Sequence, residues 1–251
     1  MTLSWSFRRK LVYSGVVLLI SLGCVAFIWF KFFSVTPTCF DHMQNGAETG
    51  VDCGGTCSLV CSLEARAPVV QWARVFPNGN NSYTAAAYVQ NNNGETGARG
   101  VHYAFQFFDA DNKLVLEKDG VADIPPVQTI PILEPNIDVG NRTVVRTLFS
   151  FSDTPVWQRV VHGSVPNIRI VSQTLTPDAT KLTATLQNVL LDDVSRVTVI
   201  AVLFDGQGVA RAASKSTIPL LEHKSTANVV FTWPQSVQGI ERAEISILPS
   251  F

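Results

Sequence analysis

The residues best equipped for chemistry sit close together. Between Cys39 and Cys61 the chain reads CFDHMQNGAETGVDCGGTCSLVC, with cysteines at 39, 53, 57 and 61. Asp41, Asn45, Glu48 and Asp52 place side-chain oxygens between them, interspersed with Gly46 and Gly50. Closely spaced thiols can hold zinc, exchange electrons or pair as disulfides. Oxygens on a turn-rich loop can ligate calcium, which takes about six to eight of them. The spacing speaks against two of these options. A four-thiolate zinc site normally shows two C-x-x-C-type pairs set well apart, whereas here one distant cysteine precedes two steps of four. Cys53-Gly-Gly-Thr-Cys57 has no histidine or proline following in a supporting position for redox or copper chemistry.

Whether the cysteines oxidise depends on the compartment, and the N-terminus addresses that. Residues 11–33 read LVYSGVVLLISLGCVAFIWFKFF, without charge up to Phe30. About 20 apolar residues suffice to cross a bilayer core. Arg8, Arg9 and Lys10 precede the run, and after it Lys31 is the only base before Arg66. That imbalance predicts a single-pass signal anchor, with residues 1–10 cytoplasmic and everything after Phe33 outside. A cleaved signal peptide would have a shorter core and small residues at its end; Phe27, Trp29, Phe30, Phe32 and Phe33 stand there instead. Ser21-Leu22-Gly23-Cys24 is similar to a lipoprotein lipobox, but Ser21 replaces the expected leucine and the chain stays apolar beyond Cys24.

Outside the cytoplasm an even set of cysteines in a short loop-rich segment reads as disulfides. Cys39, Cys53, Cys57 and Cys61 then form two bridges in a module spanning 39–61, replacing the core that so short a segment cannot build. Three pairings are open, with a preference for the interleaved one, Cys39–Cys57 with Cys53–Cys61, which ties the segment into one knot. Two readings of Asp41, Asn45, Glu48 and Asp52 compete. They are calcium ligands, or they cap their own turns; the spacing matches no EF-hand loop, and capping is preferred.

The pattern C-x-D-x-x-x-N-G-x-E-T-G-x-D-C-G-G-x-C-x-x-x-C resembles a short module of bacterial surface proteins, commonly C-x-D-G-x-x-N-G-x-E-x-G-x-D-C-G-G-x-C. The resemblance implies an extracytoplasmic location and the order anchor, cysteine module, β-domains. It departs at His42, where glycine is usual, and at Ala47, where an acid often stands. The second departure removes one carboxylate from the calcium reading.

The rest of the chain reads as mainly β, in two tandem immunoglobulin-like antiparallel sandwiches at 68–162 and 166–251. VHYAFQFFDADNKLV is echoed by VTVIAVLFDGQGVA, and Tyr83-Thr84-Ala85 by Leu182-Thr183-Ala184. Thr129-Ile130-Pro131-Ile132-Leu133-Glu134 is echoed by Thr217-Ile218-Pro219-Leu220-Leu221-Glu222, and Phe149-Ser150-Phe151 by Phe231-Thr232-Trp233. Val101, Tyr103, Phe105 and Phe107 share one strand face by period two. The strand–turn–strand around FFDADNKLV is similar to the bacterial FxLYD type of immunoglobulin-like domain.

Catalytic chemistry is not evident. His42, His102, His162 and His223 lie one per region, and no nucleophile elbow, phosphate loop or paired-histidine metal motif occurs. Asp109 and Asp205 follow equivalent strands and read as turn caps. The net charge of −1 gives no electrostatic footprint for nucleic acid. The expectation is a non-enzymatic, membrane-anchored binding or spacer protein of the cell envelope, without cofactor unless the loop takes calcium. Its partners are the lipid bilayer, through 11–33, and an unidentified envelope protein or surface ligand. The alternatives are a structural subunit of a larger envelope complex, or a cysteine-based metal or redox protein.

Overall fold

The computed structural model describes residues 5–33, 38–79, 81–160 and 167–248. The apolar run, free of proline, folds as one helix, α1, over Trp5–Phe33. It begins earlier than the apolar run, so Arg8, Arg9 and Lys10 are helical as well. Hydrophobicity delimits a membrane span, not a helix, and Arg and Lys are good helix formers. From Trp5 to Lys31 the helix is long and apolar enough to cross a membrane, and none of it is buried by the rest of the chain. Such a helix suggests a membrane anchor.

The first half of the β region holds β1 (Val69–Gly79), β2 (Ser82–Gln90), β3 (Thr96–Phe108), β4 (Leu114–Ile124), β5 (Thr129–Asp138), β6 (Arg146–Phe151) and the short β7 (Trp157–Arg159). They form an antiparallel sheet β1-β2-β5 and a second, β4-β3-β6, with β7 also on β3. The second half holds β8 (Ile168–Leu175), β9 (Lys181–Asn188), β10 (Val194–Asp205), β11 (Ala210–Leu221), β12 (Thr226–Thr232) and β13 (Ile240–Leu248). Their sheets are β8-β9-β12 and β11-β10-β13. Apart from β7, the strands of the two halves pair in the same order. The stretch Gly163-Ser164-Val165-Pro166, where the sequence reading places the join between the two sandwiches, lies outside the described residues.

Each half buries the facing sides of its two sheets. In the first, Tyr103, Phe105 and Phe107 of β3 pack against Ala85, Ala87 and Val89 of β2 and Ile130 and Ile132 of β5. The period-two reading of β3 holds on this face, and His102 beside it is exposed. In the second, Val197, Val199, Ala201 and Leu203 pack against Leu182, Leu186, Val229 and Phe231. Each large side chain so buried contributes about 1.5–3 kcal/mol.

Three local devices recur in register. Asp109 Oδ1 accepts the N–H groups of Asp111 and Lys113, and Asp205 Oδ1 those of Gln207 and Val209. Arg146 lies over the Phe108 ring at 4.7 Å, and Arg242 over Phe204 at 4.5 Å. Buried Asn91 Nδ2 donates to the carbonyls of Thr96 and Pro125, and buried Asn188 Nδ2 to those of Asp192 and Leu221.

Two of the four sequence echoes prove displaced by one strand or more. Pro131 lies in β5, the fifth strand of its half, but Pro219 lies in β11, the fourth. Phe149 lies in β6, whereas Phe231 lies in β12, the counterpart of β5. Short apolar runs with one proline suit any edge strand, and β5 and β11 are both edges. The likeness therefore reflects a shared strand environment. The echoes on β2/β9 and β3/β10 do fall at matching places.

The halves are welded face to face. Phe76, Ala86, Tyr88 and Leu133 on the outer face of β1-β2-β5 form one buried cluster with Ile200, Val202, Phe204, Ala210 and Ala213 of β10 and β11. Tyr88 meets Phe204 edge-on at 6.1 Å and stacks on Trp72 at 4.5 Å.

Candidate functional site

Two disulfides close the cysteine module in the interleaved pairing. Cys39 is bonded to Cys57 and Cys53 to Cys61, with Cα separations of 5.7 and 5.1 Å. Cys24, in α1, is free. The module has almost no apolar interior, so its shape rests on these bonds and on close backbone approaches. Gly55, at φ 55°, shows why the Gly-Gly pair stands between two cysteines: a Cβ there would sit 1.7 Å from the Ala47 carbonyl oxygen.

The four oxygen-bearing residues come together in one network, in which the three carboxylates accept N–H groups. Asp52 accepts the backbone N–H of Asp41 at 2.9 Å and of His42 at 3.1 Å. Asp41 accepts the Met43 N–H at 3.0 Å and Asn45 Nδ2 at 2.8 Å. Glu48 accepts the Asn45 N–H at 3.2 Å. The Asn45 side chain, with help from the Met43 and Thr38 N–H groups, holds the Asp41 carboxyl below its ordinary range against a smaller opposing effect of desolvation. This geometry is that of caps. Asn45 Oδ1 is the exception, a buried acceptor without a hydrogen-bond partner.

Among the described residues, the convergent set of His, Cys, Asp and Glu ligand atoms is Cys39, Glu48 and Cys57. Its two sulfurs are bonded to each other, so neither offers a thiolate, and Cys57 Sγ, 3.3 Å from Glu48, has no hydrogen to donate. In this oxidised form the set is not a soft-metal site.

His42 has φ 59°. Its backbone N–H and its Nδ1, the latter at 3.1 Å, both reach Asp52. The residue is held in a left-handed conformation that costs an L-residue roughly 1–2 kcal/mol.

The module is fixed to the first sandwich. Leu59 bridges Gln158 of β7; the Val60 N–H donates to the Trp157 carbonyl at 2.9 Å, and the Arg159 N–H to the Ser58 carbonyl at 2.8 Å. Val60 and Ala65 pack on a cluster of Ala98, Val101, Ile124 and Trp157. Asn93 clamps the following segment, donating to the Arg66 carbonyl and accepting the Arg66 N–H, both at 2.8 Å. The segment from 63 to 68, between the module and the first sandwich, is thus tied down at Arg66. Sequence reasoning passed over Asn91 and Asn93; the signal was there in the Gln-Asn pairs at 90–91 and 187–188.

Two further titratable side chains are engaged in hydrogen bonds or ion pairs. Tyr103 donates to Glu134 at 2.7 Å, and burial, reinforced by that carboxylate, pushes its phenol above the usual range. His223 pairs with Asp193 at 2.8 Å on an exposed turn, while the Ser225 hydroxyl donates to the Glu222 carbonyl. His162 lies outside the described residues.

No family model matches the chain, and no curated protein matches it. Among solved structures it is similar to the crystal structure of red sea bream transglutaminase, at 12% identity and a TM-score of 0.23. That match covers 73% of this chain and 29% of the other, so the chain spans under a third of the structure it matches. At that TM-score the likeness carries no implication for function.

Proposed function

We propose that this is a non-enzymatic protein of the cell envelope, held to the membrane by α1, with its β-domains outside as a binding and spacing element. The observation that carries the reading is the order of the parts and the joints that fix the module and the two sandwiches to one another. An apolar helix is followed by a disulfide-closed module, the module is hydrogen-bonded to β7, and the first sandwich is welded to the second. Disulfides persist in oxidising compartments, and Arg8, Arg9 and Lys10 on one side of the span favour a cytoplasmic N-terminus. The resemblance of the cysteine module to bacterial surface proteins, and of the strand pattern to FxLYD-type domains, supports the same placement. The matching strand order and the three recurring devices support two copies of one ancestral unit.

This reading includes no cofactor. The carboxylates of Asp41, Glu48 and Asp52 are occupied as caps, and chelator is expected to leave thermal unfolding unchanged. Calcium remains a second reading on one observation, the unpartnered Asn45 Oδ1; a chelator-dependent fall in unfolding temperature would favour it. Protease added to intact cells tests the main reading. It should degrade residues beyond 38 and spare the N-terminus, and full protection of the β-domains would overturn it.

A further inference from the structure

A groove of about 550 Å³ runs along the seam, bounded by β1, the start of β6 and the start of β11. Arg74, Arg146 and Arg211 line it together with Trp72 and Phe76, and no acidic residue does. Arg211 is neutralised from beside the groove, its Nη2 lying 2.6 Å from Asp205. Arg74 and Arg146 are different. Among the described residues neither forms an ion pair; each is held by an aromatic ring, Trp72 at 5.9 Å and Phe108 at 4.7 Å.

A guanidinium resting on a ring keeps its N–H fork free while losing some of its rotational freedom. Two such forks at one groove leave about two positive charges without a counter-charge. Phosphate oxygens match the fork geometry two at a time, and the volume lies in the usual range for a small-molecule site at a domain junction.

We infer that the seam groove is a binding site for an oxyanion of the phosphate class, with Arg74 and Arg146 as its anion-holding residues. The inference deepens the binding role proposed above by naming a ligand chemistry. It does not depend on which side of the membrane the groove faces.

Calorimetric titration of the full-length protein in non-ionic detergent, at low ionic strength, tests it with sodium pyrophosphate. Saturable one-to-one binding is expected. Arg74→Gln and Arg146→Gln are each expected to weaken it about tenfold, and Arg169→Gln, at an exposed arginine of β8, to leave it unchanged. Thermal unfolding of the same variants confirms that they fold. Glycerol phosphate separates the sources of the group: binding as tight as that of pyrophosphate assigns the groove to a phosphomonoester such as a lipid headgroup carries, and weaker binding to a free polyphosphate. Heat that does not saturate, or equal weakening in all three variants, overturns the proposal. Failure of the protease experiment would move the groove to another compartment without changing this titration.

Discussion

The backbone N–H of Val60 donates to the carbonyl of Trp157 at 2.9 Å, joining two segments almost a hundred residues apart. The contact makes the last loop of the cysteine module an additional rung on the first sandwich, next to a tryptophan that is 3% exposed.

Trp157→Ala should therefore release both. Removing so large a buried side chain costs about 3–5 kcal/mol, and Val60 and Ala65 lose the surface they pack on. Urea unfolding is expected to shift by that amount, and trypsin to cut after Arg66 markedly faster than in the parent. Unchanged cleavage would mean that the Asn93 clamp alone holds the module.

His42 offers a test of backbone strain. His42→Val, a β-branched residue at φ 59°, should be less stable than His42→Gly by about 1–2 kcal/mol. Glycine accepts that conformation freely but gives up the Nδ1 contact with Asp52, so the two effects offset and His42→Gly should stay close to the parent. Comparing the thermal midpoints of the three proteins checks this, and a valine variant as stable as the glycine variant would contradict it.

Asp205 should make stability sensitive to acid. The Val209 N–H above all, then the Arg211 guanidinium and the Gln207 N–H, hold its carboxyl below the ordinary value of 3.8, outweighing the opposing effect of desolvation. A carboxyl depressed in the folded state stabilises the fold above its unfolded pKa and loses that contribution as pH falls through the folded one. Asp205→Asn should therefore be less stable than the parent at neutral pH, and the gap should shrink as pH falls below about 4. Urea midpoints from neutral pH down to about 2 measure it. A constant gap would assign the loss to shape alone.

Much of this was legible in residue order. The knot could be read because four cysteines in a segment too short for a core leave few other stable arrangements. The long apolar helix could be read because residues 11–30 are uninterrupted by charge or proline. The face of β3 followed from period two at Val101, Tyr103, Phe105 and Phe107. Matching the strands of the two halves through their proline hexamers failed, since Pro131 and Pro219 answer to edge position and not to place in the order. The seam was illegible for a different reason. Tyr88 and Phe204 alternate away from their own cores, and nothing local distinguishes an outward aromatic meeting a neighbour from one meeting water. The groove arginines are harder still, since β1, β6 and β11 meet only in the folded chain.

The interleaved bridges have a consequence under load. As an open chain, the segment from Cys39 to Cys61 could be drawn out to about 75 Å. With Cys39 bonded to Cys57 the shortest covalent route is one 5.7 Å step and the short run on to Cys61, about 20 Å in all. Shear that tears the module from β7 would lengthen the tether by only a small fraction of its residues. The sandwiches would remain on a short leash to the segment before Cys39 even after the non-covalent joints have given way.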